Sequence, residues 1–199
     1  MRHLLLPVSI ISAVLFMHSP VYAAPGHHDH HHKGDVSQQS PSAEAAISDK
    51  IVNYQRQSPT LATSGALKPG AISALKQGGF KTIIDLRTPK EGVAQEQAEA
   101  VASGLQYHNL PVAGAFPDAA LREQFKQLLE DPANYPVLVH CASANRVGMV
   151  WAAYQLDQGV DFETAAAEGR AIGMKVSKEQ QLNDYYQSLA KPATETADE

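Results

Sequence analysis

Apolar positions along the chain change their period several times, and each change marks an element. The run Lys81-Thr82-Ile83-Ile84-Asp85-Leu86 is rich in β-branched residues and predicts a buried strand over 81–86. Pro136-Val137-Leu138-Val139-His140 is almost wholly apolar, which predicts a central strand covered on both faces. Shorter strands are expected over 60–64, ending at Gly65, and over 105–110, running into Pro111. Between them the period lengthens. Leu121, Phe125, Leu128 and Leu129 share one face of a helix over 117–130, and Val147, Val150, Trp151 and Tyr154 share one over 147–157. Further helices are predicted over 69–77, stopped by Gly78-Gly79, over 91–103, ended by Gly104, over 162–171, and over 178–189 with Leu182, Tyr185, Tyr186 and Leu189 inward. Strands that alternate with helices predict an α/β fold of three layers, a central mostly parallel sheet flanked by helices.

The two ends break this pattern. Met1-Arg2-His3, an apolar run from Leu4 to Met17, and the small residues before Ala24 read as a secretory signal over 1–23, cut after Ala23. The run is short for a membrane span. No Cys follows it to carry lipid, so no stable membrane anchor is expected after cleavage. Residues 24–48 are polar and read as a disordered linker, 49–190 as the catalytic domain, and 191–199 as a disordered tail. The linker carries His27, His28, His30, His31 and His32 around Asp29, a set able to take up a divalent metal adventitiously. A flexible tract holds no preorganised geometry for a catalytic ion, so no cofactor is required by this reading.

Composition narrows the function classes. A chain of 199 residues supports one ordinary core, not two large ones. Its net charge of −5, without a Lys/Arg cluster, argues against nucleic acid as a partner. One Cys occurs in the whole chain. Exported proteins use Cys in pairs to make disulfides, so a solitary one is either a small buried apolar residue or a reactive thiol.

Its surroundings favour the thiol. Cys141 directly follows the central strand and directly precedes a helix, the place where parallel sheets bind ligands. Ala142, Ser143 and Ala144 are small and let the backbone curl, so that the N–H groups from Ala142 through Asn145 to Val147 can line an anion cup at the helix start. Such amides favour a thiolate. A cation at a helix N-terminus is electrostatically unfavourable, so Arg146 there calls for an anion in front of it. A small anionic substrate is the expected partner. His140 could hold the loop through hydrogen bonds from its ring or simply fill space beside the strand, and is read as a support rather than an acid or base.

His-Cys, a small-residue loop, then Arg and Gly at a helix head resembles the protein tyrosine and dual-specificity phosphatase superfamily. Residues 50–160 resemble the beta-lactamase-hydrolase-like, phosphatase-like domain family, also catalogued as a sulfur-transferase domain. Leu61-Ala62-Thr63-Ser64-Gly65 and Gly79-Phe80-Lys81-Thr82-Ile83-Ile84-Asp85-Leu86-Arg87 corroborate the match. The resemblance implies a dual-specificity-phosphatase-like fold with Cys141 as nucleophile and Arg146 as oxyanion ligand. Three departures stand out. Only Ala142 to Asn145 separate Cys from Arg, one residue fewer than in the phosphatase signature and closer to the rhodanese ring. Val147 stands where phosphatases carry a hydroxyl. The stretch Pro111-Val112-Ala113-Gly114-Ala115 lacks the Asp that in phosphatases protonates the leaving oxygen, and Asp118 is the nearest candidate, with a first-turn helix acid as its alternative role. Asp85 and Arg87 could face the same pocket or form a structural ion pair.

Three functions follow. Sulfane-sulfur transfer through a Cys141 persulfide needs a nucleophile and an anion cup but no general acid, and the shorter ring slightly favours it. The alternative is phosphomonoester hydrolysis through a cysteinyl-phosphate. The third is a non-enzymatic anion- or metal-binding protein.

Overall fold

The computed structural model describes residues 41–190; the signal segment 1–23, the histidines 27–32 and the tail 191–199 lie outside the described residues. Five strands form one sheet: β1 (Gln55–Ser58), β2 (Leu61–Ser64), β3 (Thr82–Asp85), β4 (Gln106–Asn109) and β5 (Val137–His140). Their order is β1-β2-β5-β3-β4. The apolar β5 is therefore central, as its composition predicts, and pairs in parallel with β2 and β3, while β3 pairs in parallel with β4. Only β1 runs antiparallel. Its residues, Gln55-Arg56-Gln57-Ser58, carry no apolar signal, because an edge strand can stay polar; the sequence pattern does not predict it.

Among the described residues, seven α-helices cover the sheet: α1 (Pro41–Ser48), α2 (Ala71–Gln77), α3 (Val93–Ala102), α4 (Ala119–Glu130), α5 (Asn145–Asp157), α6 (Phe162–Ile172) and α7 (Val176–Ala190). Side chains alternate across each strand, and the two faces build two cores. Leu61, Ile84, Val137 and Val139 pack with Phe125, Val150, Ala165 and Leu182 of α4 to α7. Ala62, Ile83 and Leu138 pack with Ile47, Ile72, Leu75 and Ala100 of α1 to α3. Among the described residues, no helix is long and apolar enough to cross a membrane.

Helix α1 corrects the expected linker, since 41–48 is helical and packs on the sheet. Ala-rich composition makes 41–48 a good helix former, and Ile47, its one large apolar residue, is 1% exposed. Arg56 of β1 ties to Glu44 of α1 at 2.7 Å. The helix predicted over 91–103 is split: Pro89–Glu91 forms a 3₁₀ turn, and Gly92, at φ 89°, separates it from α3. The helix predicted from Val147 starts two residues earlier, which brings Arg146 into its first turn.

Candidate active site

The four parallel strands end in register, with Ser64 beside His140 and His140 beside Asp85, which in turn lies beside Asn109. Cys141 follows immediately. Its N–H donates to Ser64 O (3.3 Å), and the loop is pinned again where Ala66 N–H donates to Ala142 O (3.1 Å). Gly65 makes this approach feasible, because a Cβ there would meet Ser143 Cα at 3.1 Å and Val52 O at 3.1 Å. Asn53 Nδ2 holds Ser143 O at 3.3 Å.

The loop turns at Ala144, which adopts φ 66°. That left-handed conformation costs an L-residue about 1–2 kcal/mol, and it is held by surroundings that bury Ala144 completely. The first helical bond of α5 runs from Gly148 N–H to Ala144 O (2.9 Å). The amides of Asn145, Arg146 and Val147 precede it, so none has an acceptor within its own helix. These are the donors expected to face an anion. Asn145 does a second job: its Oδ1 accepts Lys175 N–H at 2.8 Å, tying the loop to the start of α7. Val147 is buried in the core and can offer only its amide. Ala142 and Ser143 are exposed at the rim.

Cys141 itself is 1% exposed, on the α4–α7 face with Val112, Ala144 and Val147. It is nevertheless more than a core filler, because Arg146 comes to it. The pair with Glu91 and the nearby Cys141 sulfur together raise the guanidinium pKa above its ordinary value against the effect of burial. Glu91 accepts Arg146 NH1 at 2.9 Å and NH2 at 2.6 Å, a bidentate pair. Arg146 NH1 also donates to Val112 O at 3.1 Å. The carboxylate of Glu91 is held in turn by Thr88 N–H and Thr88 Oγ1, both at 2.8 Å. Arg146 above all, with Thr88, lowers the Glu91 pKa to about 2, so Glu91 is an anion at any ordinary pH.

Glu91 escapes a reading by motif. Thr88-Pro89-Lys90-Glu91 has the capping-box pattern, which predicts its bond to Thr88; no local signal predicts a partner at Arg146.

The other predicted site residues fall elsewhere. His140 is wholly buried, but on the opposite face of the sheet from Cys141, and its ring does not bond the loop as expected. Its Nε2 lies 2.9 Å from Glu96 Oε1 and 3.5 Å from Asp85 Oδ1, and neither ring nitrogen makes a well-aligned hydrogen bond. Successive residues of a strand point to opposite faces, which sends His140 one way and Cys141 the other. Asp85 and Arg87 form the structural ion pair: Arg87 NH2 to Asp85 Oδ2 is 2.8 Å, with Glu96 at 2.7 Å on the same nitrogen. Tyr107 Oη donates to Asp85 Oδ2 at 2.5 Å. Asp85, Glu96 and His140 bring ligand-type atoms within 4.8 Å of one another. The Arg87 guanidinium already bridges both carboxylates, so a metal ion there would have to displace a buried, paired cation. Asp118 caps α4, its Oδ1 accepting Leu121 N–H at 2.8 Å, and it is exposed. No contact joins it to Cys141 or Arg146 among the described residues.

A mostly parallel sheet with its nucleophile-bearing loop after the central strand, a buried Cys, and an Arg in the first turn of the next helix define a protein of the cysteine-phosphatase type of fold. Residues 38–190 match the family described as the DSP-PTPase phosphatase fused to NAD+ kinase, and the chain belongs to that family. Solved structures agree on the fold. A DUF442 protein from Shewanella putrefaciens is 23% identical, with a TM-score of 0.58 over 75% of this chain and 95% of that one. The core catalytic domain of the PP-IP phosphatase Siw14 from S. cerevisiae, in complex with citrate, is 18% identical, with a TM-score of 0.55 over 70% and 92%. TpbA of P. aeruginosa, in complex with phosphotyrosine, is 21% identical, with a TM-score of 0.54 over 71% and 92%. No curated protein matches. The protein is an enzyme of phosphatase-like fold. Sulfur transfer, slightly favoured by the shorter ring, finds no support in these relatives, and the phosphatase alternative fits them better.

Proposed function

We propose that this protein is a phosphomonoesterase that works through a cysteinyl-phosphate on Cys141. The observation that carries the reading is the arrangement Glu91–Arg146–Cys141, in which a guanidinium gripped by a carboxylate in the first turn of α5 interacts with the Cys141 sulfur. An immobilised fork of donors beside a nucleophile suits a phosphoryl group, whose oxygens gain charge as the bond to sulfur forms. The amides of Asn145, Arg146 and Val147 add a second set of donors. Family membership supports the same chemistry, as do the anionic ligands of the two structural relatives, phosphotyrosine and citrate. We infer a small phosphate ester as substrate, met outside the cytoplasm if the leader over 1–23 is cut as its pattern suggests.

Hydrolysis of an aryl phosphate by the purified protein tests this. Cys141→Ser is expected to lower kcat by about three orders of magnitude or more, as removal of a nucleophile does. Turnover that survives in the serine variant refutes the reading. Treatment with thiosulfate followed by mass spectrometry separates the alternative: one added sulfur atom on the Cys141 peptide, with no aryl phosphate turnover, would return the case to sulfur transfer.

A further inference from the structure

We propose that Lys178 is the proton donor to the leaving oxygen, in place of a carboxylic acid on the 110–118 loop. The inference rests on the phosphatase reading of Cys141. Departure of an alkoxide or phenoxide from phosphorus needs a proton in the transition state, and each group near the sulfur can be asked whether it has one to give. Glu91 is ionised by its pair with Arg146. Arg146 keeps its charge at any working pH. Asp118 faces solvent with an oxygen held by Leu121 N–H. The loop from Pro111 to Pro117 holds no ionisable side chain.

Lys178 is brought to that loop from α7. Its Nζ donates to Gly114 O at 2.7 Å and to Gln181 Oε1 at 3.1 Å. Gln181 Nε2 donates to the same Gly114 O at 3.0 Å. Two residues earlier on the loop, Val112 O accepts Arg146 NH1 at 3.1 Å. The two cations therefore hold neighbouring carbonyls of one short segment. A second tie fixes α7 to the nucleophile loop, Lys175 N–H to Asn145 Oδ1 at 2.8 Å. Lys178 is 9% exposed, an unusual position for a lysine that has no carboxylate partner among the described residues. An ammonium has three N–H donors; two are used in these bonds, and in this assignment the third goes to the substrate oxygen. Burial, and then the charge of Arg146, lower the Lys178 pKa below that of an ordinary lysine, which makes it a readier acid.

The steps balance. The Cys141 thiolate attacks phosphorus, the S–P bond forms, and the P–O bond to the leaving group breaks. The departing oxygen takes a proton from the Lys178 ammonium, and the alcohol leaves. The neutral amine then accepts a proton from water as the water oxygen attacks the cysteinyl-phosphate. The S–P bond breaks with its electron pair returning to sulfur, phosphate leaves, and thiolate and ammonium are restored.

Leaving-group dependence tests the assignment. Steady-state kinetics are measured for nitrophenyl phosphate, whose phenol leaves readily unprotonated, and for phenyl phosphate, whose phenol does not. In Lys178→Met, kcat on phenyl phosphate is expected to fall roughly 100-fold or more, and kcat on nitrophenyl phosphate by less than about tenfold. Lys178→Arg should show the same split, because arginine keeps the charge and a donor for Gly114 but does not release its proton. It also serves as the informative variant if the methionine protein does not fold. Wild-type rates on both substrates in Lys178→Arg overturn the proposal. So does an equal loss on both substrates, or a loss confined to KM, in either variant, since that pattern belongs to anion binding or loop support. If the folded wild-type protein hydrolyses neither ester, the phosphatase reading itself falls, and the Lys178 assignment falls with it.

Discussion

Glu91 shows how much one carboxylate organises here. It caps the 3₁₀ turn from which it springs and grips Arg146 at a distance of 55 positions in sequence. Its folded pKa, about 2, lies below the ordinary 4.5. A depressed carboxylate pKa adds stability that is complete above the unfolded value and is lost as pH falls through the folded one. Glu91→Gln is therefore expected to lower unfolding stability by about 1 kcal/mol at neutral pH, the upper end for a partly exposed pair with good geometry. The gap to wild type should close as the pH falls from 4.5 towards 2, followed by urea unfolding at each pH. A gap that stays constant over that window would mean that the ion pair is not its source. The capping half of this role is legible in Thr88-Pro89-Lys90-Glu91. The Arg146 half is not, because residues so far apart in the chain meet only through the parallel pairing of β3 with β5.

Helix α5 owes its position, and so the position of the Cys141 loop, to a close crossing with α6. A Cβ added to Gly148 would lie 2.4 Å from Gly169 O and 2.8 Å from Met174 N, both backbone atoms that cannot step aside. The turn after α6 then supports the loop directly: Gly173 faces Ala144, and Lys175 N–H bonds Asn145. Gly148→Ala should therefore cost roughly 1–3 kcal/mol by overpacking, read as a lower urea midpoint. Activity should fall too, because the same shift moves the loop. A variant with the wild-type midpoint would show that the crossing is looser than these distances require. Both helices are visible in the apolar periodicity of the sequence, since each must bury a stripe. The contact between their glycines is not visible, because a glycine leaves no periodic signal and nothing local names its partner.

Considered as a whole, the molecule divides its chemistry between the two faces of one sheet. Cys141 and its guanidinium belong to the face under α4 to α7, and the buried network of Asp85, Arg87, Glu96, Tyr107 and His140 to the face under α1 to α3. The second face is completed by α1, in a stretch whose polar composition reads as a linker. Ile47 packs there with the group that includes Ile51, Ile72 and Leu75. Ile47→Ala is expected to cost about 2–5 kcal/mol, the range for a buried Ile truncated to Ala, and to lower the thermal midpoint of the whole domain in a single transition. A separate early transition, or a loss below about 0.5 kcal/mol, would place α1 outside the cooperative unit.

The residues alone already specified the order of β2 to β5 and of the helices from α2 on, the central place of β5, and the loop after it, but neither α1 nor β1. These are local matters: the period of apolar residues reports which faces are buried, and a short run of small residues between strand and helix reports a tight turn. The partners of the loop were a different matter. That Arg146 meets Glu91, that His140 turns away from the loop, that Asp118 caps a helix, and that Lys178 reaches Gly114 all depend on which elements become neighbours. Apart from the local Asp118 cap, these contacts join positions tens of residues apart, and only the packed sheet and its two helical layers bring them within reach of each other.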